Sequence, residues 1–337
     1  MFKSRELLSE HTTFKTGGEA ERFSVVDTKK ALGDALVEAN SQALPITVIG
    51  GGSNILAKDD GVEGLVIKNC IGGLEVLKHT KDVICVKVGA GEVFDRLVYR
   101  TVNEGWWGLE NLSAIPGSVG AVPIQNVGAY GVEVSSFITE VEAVHKKTQT
   151  ERIFSREECH FGYRDSFFKT TEGKEWIVTA VTFCLSKTAC PILEYKDLKA
   201  KFAEVTNPSQ QKIRETIIEI RNQKFPDWHK VGTAGSFFKN PIIPKVLYDK
   251  LLQSYPELPA FPVSENSVKV PLGWILDKVC GLKGVREGNV GTYEGQALVV
   301  VSYGDTTTKD ILHFTKFIER TVLEKTGIKI EREVTLI

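Results

Sequence analysis

Residues 109–131 read LENLSAIPGSVGAVPIQNVGAYG, and the fold turns on how this stretch is understood. Its small residues are so dense that almost no side chain is left to fill a core, while Gln125 and Asn126 supply amide donors and acceptors. Ile115, Pro116, Val119, Pro123 and Ile124 interleave stiff and apolar residues with the glycines, a pattern foreign to a flexible glycine linker. A backbone bared and stiffened in this way suits a large, flat ligand lying against it. Contacts are expected from Ile115, Pro116, Gly117, Ser118, Gly120, Ala121, Gln125, Asn126, Gly128 and Ala129.

Upstream, residues 47–54 run TVIGGGSN, a short β-branched strand entering three glycines. Gly50, Gly51 and Gly52 let the backbone approach a pyrophosphate and aim N–H groups at it, and Ser53 and Asn54 add donors. Alone, the loop reads equally well as a plain turn. It is not GxGxxG and no helical pattern follows at once, which argues against a Rossmann dinucleotide unit.

Downstream, residues 161–169, FGYRDSFFK, set Arg164 among aromatics, where a guanidinium offers a bidentate fork to a carboxylate; by itself this is a surface ion pair. Residues 232–241, GTAGSFFKNP, place Ser236 between a glycine and two phenylalanines, leaving its hydroxyl exposed yet shielded. Glycine does not return two residues later, so a hydrolase elbow is unsupported. Residues 331–334, EREV, carry charges of the kind that are usually solvated.

At 337 residues the chain is longer than a single core comfortably supports. With 42 basic and 43 acidic residues, net charge −1, it has no field to recruit nucleic acid or anionic lipid. No apolar run approaches a membrane helix, and the first residues lack a secretory pattern, so an unexported cytoplasmic protein is expected. Cys70, Cys85, Cys159, Cys184, Cys190 and Cys280 are scattered without a CxxC pair and are expected as buried free thiols, not disulfides or metal ligands.

Strands are expected at residues 46–49, 65–67, 84–88, 141–144 and 176–184, and a helix at 93–103. After Val205, Asn207 is the expected cap of a helix with Pro208 at its first position and Ile213, Ile217 and Ile220 on its buried face. Pro226 ends that helix, and residues 225–235 read as an exposed loop. Further helices are expected at 244–253 and 272–279, and a strand at 297–302. Thr307 to Asp310 has capping-box form and opens a helix buried through Ile311, Phe314, Ile318 and Val322. The mixture is α+β.

Residues 47–54, 88–91 and 109–131 together resemble the FAD-binding domain of the vanillyl-alcohol-oxidase or p-cresol-methylhydroxylase type. Residues 109–131 are closely similar to those of the UDP-N-acetylenolpyruvoylglucosamine reductase family, and the similarity runs from Thr13-Phe14-Lys15-Thr16-Gly17-Gly18 to Glu333-Val334. The resemblance implies an FAD-binding domain in two subdomains, 1–70 joined by 331–337 and 71–223, and a substrate-binding domain at 224–330. It implies FAD as cofactor, held without a covalent bond because Ser53 stands where many relatives have a histidine. NADPH is the implied reductant and UDP-N-acetylglucosamine enolpyruvate the substrate of a monomeric enzyme of cell-wall precursor synthesis.

The same resemblance gives Arg164 the stabilising of an enolate, Ser236 the protonation of the carbanion, and Glu333, the glutamate directly before valine, a supporting catalytic part. It gives Tyr163 a place at the substrate. It also matches Tyr195 to the tyrosine of a mobile loop that closes over substrate phosphate, Lys224 to a lysine at the nicotinamide and substrate site, and Asn240 and Gln296 to residues holding the uridine nucleotide or its sugar. Arg221, one helical turn before Lys224, is expected at flavin or phosphate. Two other readings stay open on sequence: a sugar or lactone oxidase of the same fold, and a nucleotide-sugar sensor without turnover.

Overall fold

A computed structural model describes residues 2–337, and in it the chain gathers into two compact units. The first contains the N-terminal residues through Glu6, with Ala20–Gly52 and Val62–Arg221. The second contains Leu7–Glu19, Ser53–Gly61 and Asn222–Ile337.

The first unit holds two sheets. In one, Glu19–Val26 and Ile46–Ile49 flank Val62–Asn69, both pairings being parallel, and Lys3–Leu7 lies outside Glu19–Val26. Leu65, Val66 and Ile67 are all buried, the continuous apolar run of a strand covered on both faces. The helix Lys29–Ser41 starts where the Thr28 hydroxyl accepts from Ala31 N–H, and it buries Leu32, Ala35, Leu36 and Ala39 with Leu65 and Ile67.

The other sheet is antiparallel, in the order Glu151–Ser155, Ile138–His145, Trp176–Ser186, Val83–Gly89, Leu74–His79. The first sheet's last strand in sequence ends at Asn69 and this sheet begins at Leu74. The helix Phe94–Asn103 buries Phe94, Leu97 and Val98 in its core. All five expected strands and this helix are present, within a few residues at their ends.

Two expectations for this unit are corrected. Cys85 and Cys184 face each other across neighbouring antiparallel strands with Cα atoms 4.1 Å apart, and they form a disulfide; Cys70, Cys159, Cys190 and Cys280 are the free thiols. Their sequence separation of 99 hid a pairing that the register of the sheet creates. The helix Gln210–Lys224 is capped by Ser209, whose hydroxyl accepts from Lys212 N–H at 3.2 Å, and not by Asn207, which takes a left-handed turn (φ 55°). Ile213, Ile217 and Ile220 are buried as expected.

In the second unit, Gly232–Ser236, Val299–Ser302, Val290–Thr292 and Arg286–Glu287 form an antiparallel sheet. Part of the expected exposed loop is therefore strand, because Gly232 and Thr233 are buried against Val300 and Ser302. The helix Thr308–Thr326 opens with a complete capping box between Thr307 and Asp310 and closes at Gly327 with φ 72°, as the sequence pattern requires. Asp59 adds a second cap, accepting from Thr308 N–H at 2.7 Å and Lys309 N–H at 2.9 Å. The expected helix at 272–279 is a single α-turn, Leu272–Trp274, running into a π-turn, Ile275–Val279.

Phe14 and Leu56 enter this unit's core beside Phe237, Phe238, Ile311 and Phe314. The strand Thr335–Leu336 pairs in parallel with Ile55–Leu56. Among the described residues, no helix is long and apolar enough to cross a membrane.

Candidate active site

The glycine-rich residues 109–131 form no long element, only the short turns Glu110–Leu112 and Val119–Ala121, so side chains and single backbone bonds fix the path. Gly120 N–H donates to Ala90 O at 2.8 Å and Val119 N–H to Glu92 O at 2.8 Å, tying the segment to the strand end that carries Gly89, Ala90 and Gly91. Ala114 holds φ 58°, a conformation unfavourable to a residue with a Cβ. Its N–H is gripped by the Asp95 carboxylate at 2.5 Å, and Asp95 is in turn held by both terminal nitrogens of Arg214, at 2.6 and 2.8 Å.

The TVIGGGSN loop lies directly against this segment. A Cβ on Gly50 would collide with Ser118 Oγ, and a Cβ on Gly51 would stand 2.9 Å from Gly117 Cα. Two backbones thus run side by side, with Ile115, Pro116, Gly117, Gly120 and Gln125 half-buried at their edge and Gly51 and Ala121 exposed. Small half-exposed residues over a fixed backbone, rich in N–H groups and free of bulky side chains, fit the pyrophosphate and flat rings of FAD.

The Asn126 side chain is taken up by bonds within the protein. It is 1% exposed, its Nδ2 donates to Glu133 (2.9 Å) and to Gly162 O (3.0 Å), and its Oδ1 accepts from Ser135 N–H at 3.1 Å. All three bonds hold the protein to itself, so its side chain is scaffold.

The same scaffold mounts residues 161–169 on the glycine-rich segment. Gly162 and Asp165 exchange backbone bonds at 3.0 and 3.2 Å, which pinches Tyr163 and Arg164 into the tip of a tight turn. Ser166 Oγ donates to Ile124 O at 2.7 Å, and Arg164 donates to Gly128 O at 2.6 Å. Arg164 adopts φ 53°, lies 5.3 Å from the Tyr163 ring centre, and has its carbonyl held by Lys169 Nζ at 2.8 Å. A Cβ on Gly128 would reach to within 3.2 Å of the guanidinium, so the glycine makes room for the arginine.

At the far end of the segment, the Tyr130 and Tyr195 rings meet edge to face at 5.3 Å. Arg221 hydrogen-bonds the Tyr130 hydroxyl. Burial pushes Tyr130 up to about 12, with Arg221 pulling the other way, so this phenol stays protonated.

In the second unit, Ser236 is half-buried between Gly235, which needs its φ of 74°, and fully buried Phe237. Glu333 N–H donates to Phe237 O at 2.9 Å, and Glu333 O accepts from Asn54 Nδ2 at 3.3 Å. Glu333 thereby lies beside Phe237, the residue after Ser236, and is half-buried, whereas Glu331 is exposed and paired with Lys239 at 3.4 Å. Asn240 Oδ1 caps Leu272 N–H at 2.9 Å, and Gln296 Oε1 accepts from Leu298 N–H at 3.3 Å. Lys224 is half-buried at the end of its helix.

Sequence reasoning missed Asp95, Arg214, Tyr130 and Asn111, all of which position the segment. Asp95 precedes Arg96 on an otherwise ordinary amphipathic helix, and nothing in the local pattern marks it. Burial raises the Asp95 carboxyl, but the bonds from Arg214 and Ala114 N–H outweigh it and hold the group below the ordinary value of 3.8. A depressed carboxylate stabilises the fold above its unfolded pKa, and that contribution is lost as pH falls through the folded value. Asp95→Asn is therefore expected to lose about 3 kcal/mol near neutrality, by leaving Arg214 buried without its charge. Urea unfolding curves of wild type and variant should converge as pH falls below 3.8, and a constant gap would refute the ion-pair account.

Fold and site define a flavin-binding oxidoreductase. Residues 20–153 match the FAD binding domain family and residues 226–337 match the C-terminal domain of UDP-N-acetylenolpyruvoylglucosamine reductase. Proteins of the latter name from Flavobacterium johnsoniae and Bdellovibrio bacteriovorus are 38% and 41% identical, over 98% and 97% of this chain and 98% and 96% of theirs. The crystal structure of UDP-N-acetylenolpyruvylglucosamine reductase from Thermus caldophilus superposes with a TM-score of 0.69 at 26% identity, covering 100% of this chain and 99% of that one. The chain belongs to the UDP-N-acetylenolpyruvoylglucosamine reductase family.

Proposed function

We propose that the protein reduces the enolpyruvyl ether of UDP-N-acetylglucosamine enolpyruvate to the lactyl ether of UDP-N-acetylmuramate, with NADPH as reductant, in cell-wall precursor synthesis. The observation that carries this reading is Arg164, pinned by Gly128 O to the very segment that suits FAD. FAD, held by residues of the two glycine-rich segments, would supply the two-electron chemistry that links the nicotinamide to the enolpyruvyl group.

The protein's own groups then manage charge and protons. Arg164 faces the negative charge that builds at C2 and on the carboxylate, and its fixed guanidinium stabilises that charge without reorganising. Ser236 gives its hydroxyl proton to C2. So weak an acid serves only against a strongly basic carbanion and with cations such as Lys224 to support it. Glu333 polarises the substrate or holds a proton. Gly50 to Asn54, with Ile115 to Ser118, Gly120, Ala121, Gln125, Asn126, Gly128 and Ala129, hold FAD without a covalent bond, with Arg221 at flavin or phosphate. Tyr163, Tyr195, Lys224, Asn240 and Gln296 hold the sugar nucleotide.

In this reading residues 1–70 and 71–223 are the two halves of the FAD-binding domain, 331–337 return to it, and 224–330 bind substrate. The enzyme works as a monomer in the cytoplasm, where nicotinamide and nucleotide sugar are both at hand. An anaerobic visible spectrum tests the reading. Yellow colour should bleach with NADPH and return with the enolpyruvyl sugar nucleotide; colour that returns only with oxygen would identify an oxidase instead.

A further inference from the structure

We infer that Asn111 is a positioning residue for the sugar-nucleotide half of the reaction: one carboxamide ties the stretch leading to Tyr195 onto the cofactor segment. Residues 187–195 follow the strand Trp176–Ser186 with no regular structure, before the short helix Lys196–Lys201. Such a stretch depends on individual bonds for its path. Among the described residues, the one backbone hydrogen bond within 189–194 is made by Ile192 O, which accepts from Asn111 Nδ2 at 2.8 Å. The other hydrogen of that nitrogen goes to Tyr130 O at 2.9 Å.

Both carbonyls therefore hang on a single nitrogen, and both lead directly to the aromatic pair. Tyr130 stacks its ring edge to face with Tyr195, three residues beyond Ile192, and its own ring is buried at 7% exposure. Tyr195 is 40% exposed, so the tether sits on the buried side and the ring it steers reaches solvent.

Asn111 is 1% exposed, yet its Oδ1 has no hydrogen-bond partner. A buried acceptor left unpaired costs about 1–3 kcal/mol. A side chain carrying that cost is in place for its two N–H donors, and these bridge two segments 62 positions apart in sequence (residues 130 and 192).

The consequence for catalysis rests on the reading of Tyr195 as a substrate residue. Holding Ile192 fixes where Tyr195 waits before substrate arrives, which lowers the ordering cost of binding. Reduction of flavin by NADPH asks nothing of this tether, so the two half-reactions separate its effect from general loosening.

Asn111→Asp keeps the shape and removes the donors. In the full-length, FAD-loaded protein it is expected to speed tryptic cleavage after Lys187 and Lys196 about tenfold, as loss of one to two buried hydrogen bonds implies. In anaerobic stopped-flow it should raise the sugar-nucleotide concentration for half-maximal reoxidation about tenfold, with NADPH reduction unchanged. Unchanged cleavage would overturn the tether, and equal slowing of both half-reactions would show a merely structural residue. Faster cleavage with unchanged half-saturation would overturn the positioning role. Tyr195→Phe, run alongside, then tells whether the fault lies with Tyr195, since it too would bind normally. Should Asn111→Asp not fold, Asn111→Ala is read by the same two measurements.

Discussion

Ser236→Ala is expected to leave NADPH reduction of the bound flavin near its normal rate and to slow reoxidation by the sugar nucleotide about 10²–10⁴-fold, the range a placed general acid contributes. The separation follows from where the residue sits. Ser236 ends the strand Gly232–Ser236 opposite Val299, and its neighbour Phe237 is held by its N–H on Leu298 O at 2.9 Å and by full burial. The backbone around position 236 is thus set by other groups, and alanine removes the hydroxyl alone. Hydride transfer from NADPH to flavin needs no proton at C2 of the second substrate. Half-reactions slowed to the same degree would remove Ser236 from the proton-donor role.

Gly51→Ala is expected to yield a folded but colourless protein, with FAD affinity lowered about a hundredfold. The added Cβ would stand 2.9 Å from Gly117 Cα and 3.2 Å from Gly117 C, both backbone atoms with no rotamer to yield. One loop has to retreat from the other, and overpacking of this kind costs about 1–3 kcal/mol. At roughly 1.4 kcal/mol per tenfold, that strain would fall on the cofactor these loops are proposed to hold. Residues Leu65 and Ile67 of the adjoining sheet pack elsewhere, so the fold survives. Flavin-to-protein absorbance and titration of the apoprotein with FAD measure the effect, and a stoichiometrically yellow variant would mean that the loops do not grip the cofactor.

The large outlines were legible because local chemistry enforces them. Thr307 and Asp310 announce a capping box in four letters, and Leu65 to Ile67 announce a buried strand, whatever the rest of the chain does. Residues 109–131 point to a ligand site because their stiff, small residues leave no core to build. The disulfide between Cys85 and Cys184 was hidden because it depends on strand register, a property of two distant segments at once. That the Asn126 side chain brackets Gly162 and Ser135 was not legible, since a carboxamide's type does not reveal its partners. Ser209 displaced Asn207 as cap once Asn207 turned left-handed, a choice made by the loop before the helix.

The interleaved make-up of the second unit governs the order in which this protein comes into being. Phe14 and Leu56 leave the ribosome early, yet the side chains that cover them, Phe237 and Phe314 among them, are made far later. Asn54 waits for Glu333 across 279 residues, and the strand Ile55–Leu56 waits for Thr335–Leu336. Closing so long a loop is slow, and greasy segments exposed meanwhile invite aggregation or a chaperone's grip. The first unit ends at Arg221, so it is made in full before the C-terminal third, and the second unit assembles around strands laid down at the start.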